Sequence, residues 1–292
     1  IVFCILNLLI AAMTLGEING TLQSSIMQII YQIVFYWIFK NLDVTDALIP
    51  KLTLFIYCFF VVFVISNLLD GVLNVYLGQV TLPYQHIAIS FLSVSLLILW
   101  WCSSSNQIVL AFSISLITLF LIGARTEMGV WFVFGAIYLF LRFRPIVRLL
   151  VAVSSTIFVS YFLSNIIAVY SYLPNNKLIY YLAFGDTKGD SLRDDIFENG
   201  LSDINDSPLL GKLGEYNTGE YIHGFMSSWQ DYGIVGFILY ILLLLSVLIN
   251  VLQQRAKTLK FYLLSSYFAV LLAILFFKNH NYILLAVLIG LA

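Results

Sequence analysis

The sequence predicts an all-α polytopic membrane protein with about ten transmembrane helices and one large outward-facing loop that carries short helices. Of the 292 residues, 61% are apolar and 10% are charged, whereas soluble proteins average about 45–50% apolar (glycine included) and about 25% charged. So few charges cannot cover a water-facing surface, which excludes a soluble enzyme. With a net charge of −1 and no basic patch, no nucleic-acid partner is expected either.

Ten apolar stretches define the predicted spans, because about 20 apolar residues cross about 30 Å of hydrocarbon. Several are short, so their ends can extend by a turn; they cover residues 1–15, 22–39, 52–69, 84–101, 107–122, 128–141, 149–169, 233–252, 261–277 and 282–292. The first and last are truncated, and we expect the chain to be a fragment of a longer protein. Residues 1–292 are expected to form a single integral membrane domain.

The Lys and Arg residues of the short connections predict the orientation, since cytoplasmic loops are enriched in them. One topology places eight basic residues in inner turns: Lys40, Lys51, Arg142, Arg144, Arg148, Arg255, Lys257 and Lys260. The short outer turns then hold only two, Arg125 and Lys278. Because independent loops agree, we predict this orientation.

The predicted outer loop, residues 171–232, holds ten of the 15 acidic residues and four basic ones, a net charge of −6. Loops longer than about 12–15 residues are usually functional or disordered. Apolar and aromatic clusters at Leu178–Phe184, Ile196–Leu201 and Tyr221–Trp229 favour order. We therefore expect short helices on the outer membrane face, in the periplasm or its equivalent.

The first candidate site is the short outer turn Gly123-Ala124-Arg125-Thr126-Glu127. One interpretation is that Arg125 reaches the lipid head groups, helped by Glu127. The other is a binding site, because Arg suits bidentate phosphate contact, the small residues admit a ligand, and the orientation rule disfavours Arg here. The residues alone leave both interpretations open.

Arg193 and His223, both in the outer loop, are weaker candidates. Asp194 and Asp195 follow Arg193 directly, which favours an ordinary surface ion pair. His223 precedes span 233–252, and if a helix begins near it, Ser227 and Gln230 or Asp231 share its face. A neutral imidazole can take a proton from a sugar hydroxyl; an interfacial His without a chemical role is the alternative.

Metal and disulfide sites have little support. His86, His223 and His280 all fall near the outer face, but there is no HExxH motif or i, i+4 His pair to favour a zinc site. Cys4, Cys58 and Cys102 stand alone without CxxC spacing. We expect no bound metal, no disulfide framework and no cofactor.

The Gly123–Glu127 turn resembles the glycine–serine–arginine–threonine motif of bacterial O-antigen polymerases and the related O-antigen ligases. Pro208-Leu209-Leu210-Gly211-Lys212-Leu213-Gly214, then His223 and Tyr232–Gly236, resemble their second signature, a Pro- and Gly-rich stretch and a His before Gly-Ile-x-Gly and a long apolar helix. The likeness covers roughly residues 110–255 in motif. It departs at Gly224, where the family often has Asn, and at 211–214, where a tighter Gly-x-Gly is common.

The resemblance implies a GT-C-like, metal-independent glycosyltransferase in the bacterial inner membrane, with its active site facing the periplasm. It would be an O-antigen polymerase that joins undecaprenyl-pyrophosphate-linked oligosaccharide repeat units. Arg125 and Arg193 would hold the pyrophosphate, and His223 would orient the acceptor hydroxyl or take its proton. We infer Glu127 and Asp231 as orienting partners of Arg125 and His223 in the substrate site. Membrane lipids are partners, and the resemblance allows a chain-length regulator and a flippase as well.

Two alternatives remain open beside the polymerase. An O-antigen ligase would transfer the glycan to the lipid A core, although modest length and loose motifs favour the more divergent polymerases. A flippase or transporter for lipid-linked oligosaccharides would share the composition, but transporters usually carry ionisable residues within their spans. The predicted spans contain almost no charged residues, and 52–69, 107–122, 128–141, 149–169 and 233–252 have no charge at all. A purely structural or signalling protein would leave the acidic outer loop unexplained.

Overall fold

A computed structural model describes residues 20–41, 48–69, 72–73, 76–77, 80–81, 84–143, 145–172, 177–185, 189–213, 215, 222, 224–276 and 282–291. Within these ranges the chain forms twelve helices and two antiparallel pairs of two-residue strands. In order they are α1 (Gly20–Lys40), α2 (Leu48–Ser66), β1 (Leu68–Leu69), β2 (Val72–Leu73), β3 (Tyr76–Leu77), β4 (Val80–Thr81), α3 (Tyr84–Trp101), α4 (Ser105–Ile122), α5 (Arg125–Arg142), α6 (Pro145–Ser164), α7 (Ile166–Tyr172), α8 (Lys177–Phe184), α9 (Gly189–Asp206), α10 (Ser227–Gln253), α11 (Lys257–Phe276) and α12 (Ile283–Leu291).

Four helices of the described chain, α2, α4, α10 and α11, are long and apolar enough to cross a membrane. Shorter apolar helical stretches cover Ile29–Lys40 within α1 and Ile87–Trp101 within α3. These helices support the predicted all-α membrane protein. The count of ten spans and the GT-C-like arrangement stay predictions.

Most predicted spans coincide with helices, although their ends differ. Span 84–101 matches α3 residue for residue, and α10 begins six residues before the predicted start of span 233–252. The six added residues of α10 precede its non-helical residue Gly233, which coincides with the predicted start of the span. The predicted span 1–15 lies outside the described residues.

Two predicted boundaries were wrong, each because of an asparagine. Span 52–69 ends early, at Ser66, because the Asn67 side chain donates to the Phe63 carbonyl at 2.8 Å and closes the helix. Span 149–169 is divided into α6 and α7 at Asn165, whose side chain donates to the Tyr161 carbonyl at 2.8 Å. Asparagine competes for backbone hydrogen bonds in this way at helix ends.

The chain divides into two compact units, which are described separately. The central unit comprises Asp43–Asp186, and the terminal unit comprises Ile1–Leu42 with Thr187–Ala292. The outer-loop range 171–232 contributes α8 to the central unit and α9 to the terminal unit, which agrees with the expectation that this loop carries helices. Its position on the outer membrane face stays a prediction, as does a single membrane domain.

The core of the central unit combines close helix contact with a buried polar link. The Tyr57 hydroxyl lies 2.8 Å from Ser115 Oγ and donates to the Ala111 carbonyl at 3.2 Å, joining α2 to α4. Between α4 and α5, Trp131 stacks on Phe112 with centroids 5.3 Å apart. A Cβ on Gly135 would overlap the Phe112 ring, so only glycine permits this approach.

The core of the terminal unit joins the first described helix to the last. At Gly290 of α12, a Cβ would lie 2.8 Å from the Tyr36 carbonyl oxygen of α1, so the two backbones pass close together. Tyr267 of α11 donates to the Leu244 carbonyl of α10 at 3.3 Å. Small residues and interhelical hydrogen bonds are the usual means of holding helices together in lipid.

Candidate functional site

The turn before Arg125 is a tight link between α4 and α5. Gly123 adopts φ 76°, and its N–H donates to the Leu119 and Phe120 carbonyls at 3.2 and 3.0 Å. Gly123 and Ala124 are both buried. A left-handed glycine that closes one helix is a common way to begin the next without a linker. The Gly-Ala pair therefore places Arg125 at the start of α5.

Arg125 is half-buried and stacks on an aromatic ring. Its guanidinium carbon lies 4.7 Å from the ring centroid of Tyr181, on α8 of the same unit. A guanidinium over a ring face makes a cation–π contact, which involves the electron-rich face of the ring. Tyr181 therefore helps to hold the Arg125 side chain in place.

The start of α5 also favours a negative charge. The N-cap residue, Ala124, makes no side-chain cap hydrogen bond to the first turn. Backbone N–H groups at a helix start carry partial positive charge and favour anions. The guanidinium of Arg125 adds a full positive charge at the same end. Both effects act in the same direction and suit an anionic group.

Glu127 lies in the first turn of α5 and is only 2% exposed. Residues two apart on a helix do not share a face, so Glu127 is not stacked beside Arg125 along α5. A carboxylate in a first turn interacts favourably with the helix dipole. This favours a role in holding the helix start, and the predicted orientation of Arg125 by Glu127 stays a prediction.

The structure describes the backbone of Arg193 but not its side chain, and it does not describe His223. The backbone of Arg193 lies on α9, in the terminal unit, and its side chain is outside the described part of the chain. His223 itself lies outside the described residues, as do His280 and the side chain of His86. Elsewhere in the described chain, no group of His, Cys, Asp or Glu has the arrangement of a metal site. The predicted roles of these residues therefore stay predictions.

A helix that began near His223 would bring Ser227 onto a shared face, and the described helix begins at Ser227 itself. Helix α10 begins at Ser227, and Gly224 adopts φ 90°, which is not helical. A Cβ on Gly224 would lie 2.7 Å from the Leu275 carbonyl oxygen of α11. Close contact with α11 thus suits the left-handed glycine at position 224, just before α10, and the helical face considered for His223 stays a prediction.

Helix α10 is broken at Gly233. This residue has φ 66° and ψ −173°, and a Cβ there would overlap the Leu209 carbonyl oxygen. The backbone groups released by the break are used by the turn that follows α9. The Ile234 N–H donates to the Pro208 carbonyl at 2.9 Å, and the Gln230 carbonyl accepts from the Lys212 N–H at 2.7 Å.

The turn after α9, residues 207–213, therefore fits against the broken helix through main-chain contacts. Gly211 has φ 75°, and a Cβ on it would lie 2.5 Å from the Asp231 carbonyl oxygen. Trp229 Nε1 donates to the Pro208 carbonyl at 3.1 Å. The Pro- and Gly-rich signature in the sequence thus corresponds to one interlocked structure with the start of α10.

A polar cluster lies beside this turn. Gln230 is fully buried, and its side-chain Nε2 donates to Asp203 Oδ2 at 2.9 Å. Lys212 Nζ donates to Asp203 Oδ1 at 3.0 Å and to Asp206 Oδ2 at 2.9 Å. Hydrogen bonds from Lys212 to the carboxylates of Asp206 and Asp203 raise the pKa of Lys212, which favours its charged form. Asp231, next to Gln230, is 4% exposed.

Two contacts in these sites could not be foreseen from the sequence. Tyr181 belongs to an aromatic cluster that predicted order in the loop, but nothing local pairs it with Arg125. Gln230 was considered only for a helical face shared with His223. Both contacts join residues far apart in the chain, and only their three-dimensional packing reveals them.

Comparison with known proteins adds no relative. No protein-family model matches the chain, and no curated protein matches it.

Proposed function

We propose that this protein is an O-antigen polymerase, which joins undecaprenyl-pyrophosphate-linked oligosaccharide repeat units at the periplasmic face of the bacterial inner membrane. The single observation that carries the proposal is the environment of Arg125. A guanidinium over the Tyr181 ring, at the start of a helix whose N-cap residue makes no side-chain cap hydrogen bond, suits a phosphate group. It lies in the turn whose residues resemble the first motif of that family.

The reaction transfers a glycan between two lipid-linked substrates. A hydroxyl oxygen of the acceptor sugar forms a bond to the anomeric carbon of the donor. The bond between that carbon and the pyrophosphate oxygen breaks, and undecaprenyl pyrophosphate leaves with the electron pair. His223 is the proposed acceptor of the hydroxyl proton, because a neutral imidazole can act as a base near pH 7.

The arginines have the complementary task. Negative charge develops on the pyrophosphate as it leaves, and a fixed guanidinium stabilises that charge more in the transition state than in the ground state. Arg125 and Arg193 are the proposed donors, and metal-independent catalysis follows from this assignment. Glu127 and Asp231 are proposed to contribute to the substrate site.

The break in α10 bears on the flippase alternative, because transporters use broken helices to expose backbone groups to their substrates. Here the N–H of Ile234 and the carbonyl of Gln230 are bonded to Pro208 and Lys212 of the chain's own turn. The break therefore offers neither of these groups to a substrate. This favours an enzyme over a flippase.

Deletion of the protein in its native bacterium separates the three activities. Loss of a polymerase leaves single repeat units attached to the lipid A core. Loss of a ligase leaves polymer on undecaprenyl pyrophosphate, and loss of a flippase leaves repeat units on the cytoplasmic side. We expect the first pattern on a lipopolysaccharide gel. Either of the other two patterns contradicts the proposal.

Expression of Arg125 variants in the deletion strain tests the proposed role of this residue in polymer synthesis. Arg125→Ala is expected to lower polymer synthesis by about 10²–10³-fold, since a transition-state charge contact is lost. Arg125→Lys is expected to lose about tenfold or more, because an ammonium cannot form the bidentate contact. The measurement is polymer formed per amount of membrane-inserted protein.

Arg255→Ala is the matched control, because Arg255 is exposed and lies in a predicted inner turn. It is expected to restore normal polymer. Normal synthesis by Arg125→Ala, Arg193→Ala and His223→Ala alike would falsify the proposed function. If Arg125→Lys is fully active while Arg125→Ala is not, Arg125 acts through its positive charge and not through a bidentate contact.

A further inference from the structure

Leu209 and Leu210 form an exposed apolar pair on the turn after α9. The two residues are 67% and 63% exposed, whereas Leu213 of the same turn is buried. Residues 207–211 carry no charge. Apolar side chains that lie together at a surface, beside polar neighbours, are a feature of interaction sites.

The turn that carries this pair is closed by its own hydrogen bonds. The Gly211 N–H donates to the Ser207 carbonyl, and the Ser207 hydroxyl donates to the Gly211 carbonyl, both at 3.0 Å. At the base of the turn, Lys212 forms ion pairs with Asp203 and Asp206. The charges therefore lie at the base, and the tip with the two leucines is uncharged.

Gln230 attaches the base of the turn to the start of α10. Its backbone carbonyl accepts from the Lys212 N–H at 2.7 Å. Its side chain is fully buried, accepts from the Ile222 N–H at 2.8 Å and donates to Asp203 at 2.9 Å. The position of the leucine pair relative to α10 is thus fixed by hydrogen bonds that do not involve the leucine side chains.

The pair lies at the level where the apolar part of α10 begins. A Cβ on Gly233 would lie 2.7 Å from the Leu210 backbone nitrogen, so the two backbones are in close contact. Residues 227–232, before this glycine, include Ser, Gln and Asp, whereas residues 237–245 are all apolar. Such a change along a helix that can cross a membrane marks the edge of the hydrocarbon.

Aromatic side chains connect the turn to the membrane-crossing part of α10. Phe237 stacks on Trp229 with ring centroids 5.3 Å apart, and the Trp229 indole donates to the Pro208 carbonyl at 3.1 Å. Tryptophan is enriched where a membrane meets water. Because Ile238, next to Phe237, is half exposed on this apolar helix, the surface available to lipid continues from α10 to the residue before the leucine pair.

Charge does not explain how this end of α9 would be held at a membrane. Helix α9 contains six acidic residues and one basic residue. Phospholipid surfaces are neutral or anionic, so an acidic helix is not attracted to them. Contact between apolar groups is the means that remains.

We propose that Leu209 and Leu210 are a membrane anchor, which inserts among the acyl chains of the adjacent phospholipid leaflet and holds the end of α9 at the bilayer surface. Anchors of this kind bind through the apolar area that they bury in the interface. Trp229 lies beside them at the polar boundary. The inference goes beyond the proposed function and does not depend on it.

Fluorescence in phosphatidylcholine nanodiscs tests the depth of the turn. In the full chain with Cys4→Ser, Cys58→Ser and Cys102→Ser, Leu210→Cys is labelled with the environment-sensitive dye NBD. We expect a blue-shifted emission and quenching by phospholipids that carry a spin label on the acyl chain near the glycerol. Iodide in the water should quench little. The same pattern is expected in nanodiscs with anionic lipid, because the leucines carry no charge.

Two further labelled positions calibrate the measurement. Asn205→Cys lies at the exposed, polar end of α9 and should be quenched by iodide. Leu239→Cys lies at an exposed position in the apolar part of α10 and should be quenched by a spin label near the methyl end of the acyl chain. The melting temperature of each labelled protein, compared with that of the cysteine-free chain, shows that the fold is kept.

Three results at position 210 would overturn the inference. Quenching by iodide as strong as at position 205 would place the turn in water. Protection from both iodide and spin-labelled lipid would mean that a protein surface, such as a second copy of the chain, covers the leucines. Quenching by lipid that occurs only in anionic nanodiscs would mean that charge, and not the leucine pair, attaches the turn.

Photo-crosslinking gives a second measurement on the unaltered chain. Phosphatidylcholine with a diazirine on its acyl chain is expected to form adducts at Leu209 or Leu210, located by mass spectrometry. The double variant Leu209→Asp, Leu210→Asp should lose adducts over residues 207–211, and Asn205→Asp, which adds one charge beside the turn, should keep them. Absence of adducts from the unaltered turn, while α10 is labelled, contradicts the anchor.

Discussion

At the residue scale, the cation–π contact between Arg125 and Tyr181 is the contact with the clearest chemical meaning. The two residues belong to different helices, α5 and α8, and their groups are 4.7 Å apart. A guanidinium held by a ring loses less freedom when it binds a phosphate than one that moves freely. The aromatic partner therefore contributes to binding without touching the anion.

Tyr181 substitutions test this contribution. Tyr181→Phe keeps the ring face and is expected to retain nearly full polymer synthesis. Tyr181→Ala removes the cation–π contact, which is worth about 0.5–2 kcal/mol, so synthesis should fall by about 2- to 30-fold. The measurement is polymer formed by the complemented deletion strain at equal protein level.

Tyr180→Ala is the control for this pair, because Tyr180 packs on Phe184 at 5.4 Å rather than on an arginine. It removes a neighbouring aromatic side chain of the same helix. If Tyr180→Ala lowers synthesis as much as Tyr181→Ala, then α8 contributes through its general packing and the stacking argument is wrong.

At the element scale, the break in α10 is fixed by its contacts with the turn after α9. Glycine occupies a position where a Cβ would collide with the Leu209 backbone. The released backbone groups find partners in the turn after α9. Because unpaired backbone groups are costly away from water, the turn and the break require each other.

Gly233→Ala is therefore expected to destabilise the protein by about 2 kcal/mol or more, since it combines an unfavourable φ with a steric overlap. Gly129→Ala on α5 is the opposite case, because open space surrounds that position. It should be neutral or stabilise by up to about 1 kcal/mol. Thermal unfolding in detergent measures both, and equal effects of the two substitutions would contradict this account.

At the scale of the whole molecule, the distribution of charge matters more than its amount. Eight of the 14 basic residues lie in or next to connections predicted to face the cytoplasm, and ten of the 15 acidic residues lie in one predicted outer loop. This asymmetry predicts an orientation that can be checked at a single thiol, Cys102, in the connection between α3 and α4.

Burial raises the pKa of the Cys102 thiol, and the nearby Arg142 opposes part of this rise. Because the thiolate is the reacting species, alkylation should be slow at about pH 7 and should accelerate toward about pH 9. With Cys4→Ser and Cys58→Ser, Cys102 is the single thiol of the chain. A membrane-impermeant maleimide should then label inside-out vesicles and not intact spheroplasts.

The two outcomes test different statements. Labelling of spheroplasts alone would reverse the predicted orientation. A rate in vesicles equal to that of a small free thiol at each pH would contradict the effect of burial. A Cys-free variant, with Cys102→Ser added, gives the background for both measurements.

The helices of the described chain were largely predictable, because hydropathy and length act locally. Span 84–101 coincides with α3, and the signature glycines were recognisable as a pattern. The errors at Asn67 and Asn165 have a common cause. Each asparagine side chain donates a hydrogen bond to a backbone carbonyl of its own helix. The pattern of apolar residues does not reveal this competition with the helical hydrogen bonds.

The candidate site was less predictable than the fold. Arg125 was selected because of its unusual place in a predicted outer turn, and its binding of an anionic ligand stays a prediction. The aromatic partner Tyr181 and the buried link from Gln230 to Ile222 were not foreseen. Both depend on helices that approach from distant parts of the chain.

By itself, the sequence determined that this is a helical membrane protein and where most of its helices run, because those properties follow from the local density of apolar and charged residues. The tertiary structure decided the rest: why Gly211 and Gly233 are glycines, which ring restricts Arg125, and what holds Ile222. These depend on which distant segments come into contact, and a linear pattern of hydropathy contains no information about a contact between segments until the chain has packed.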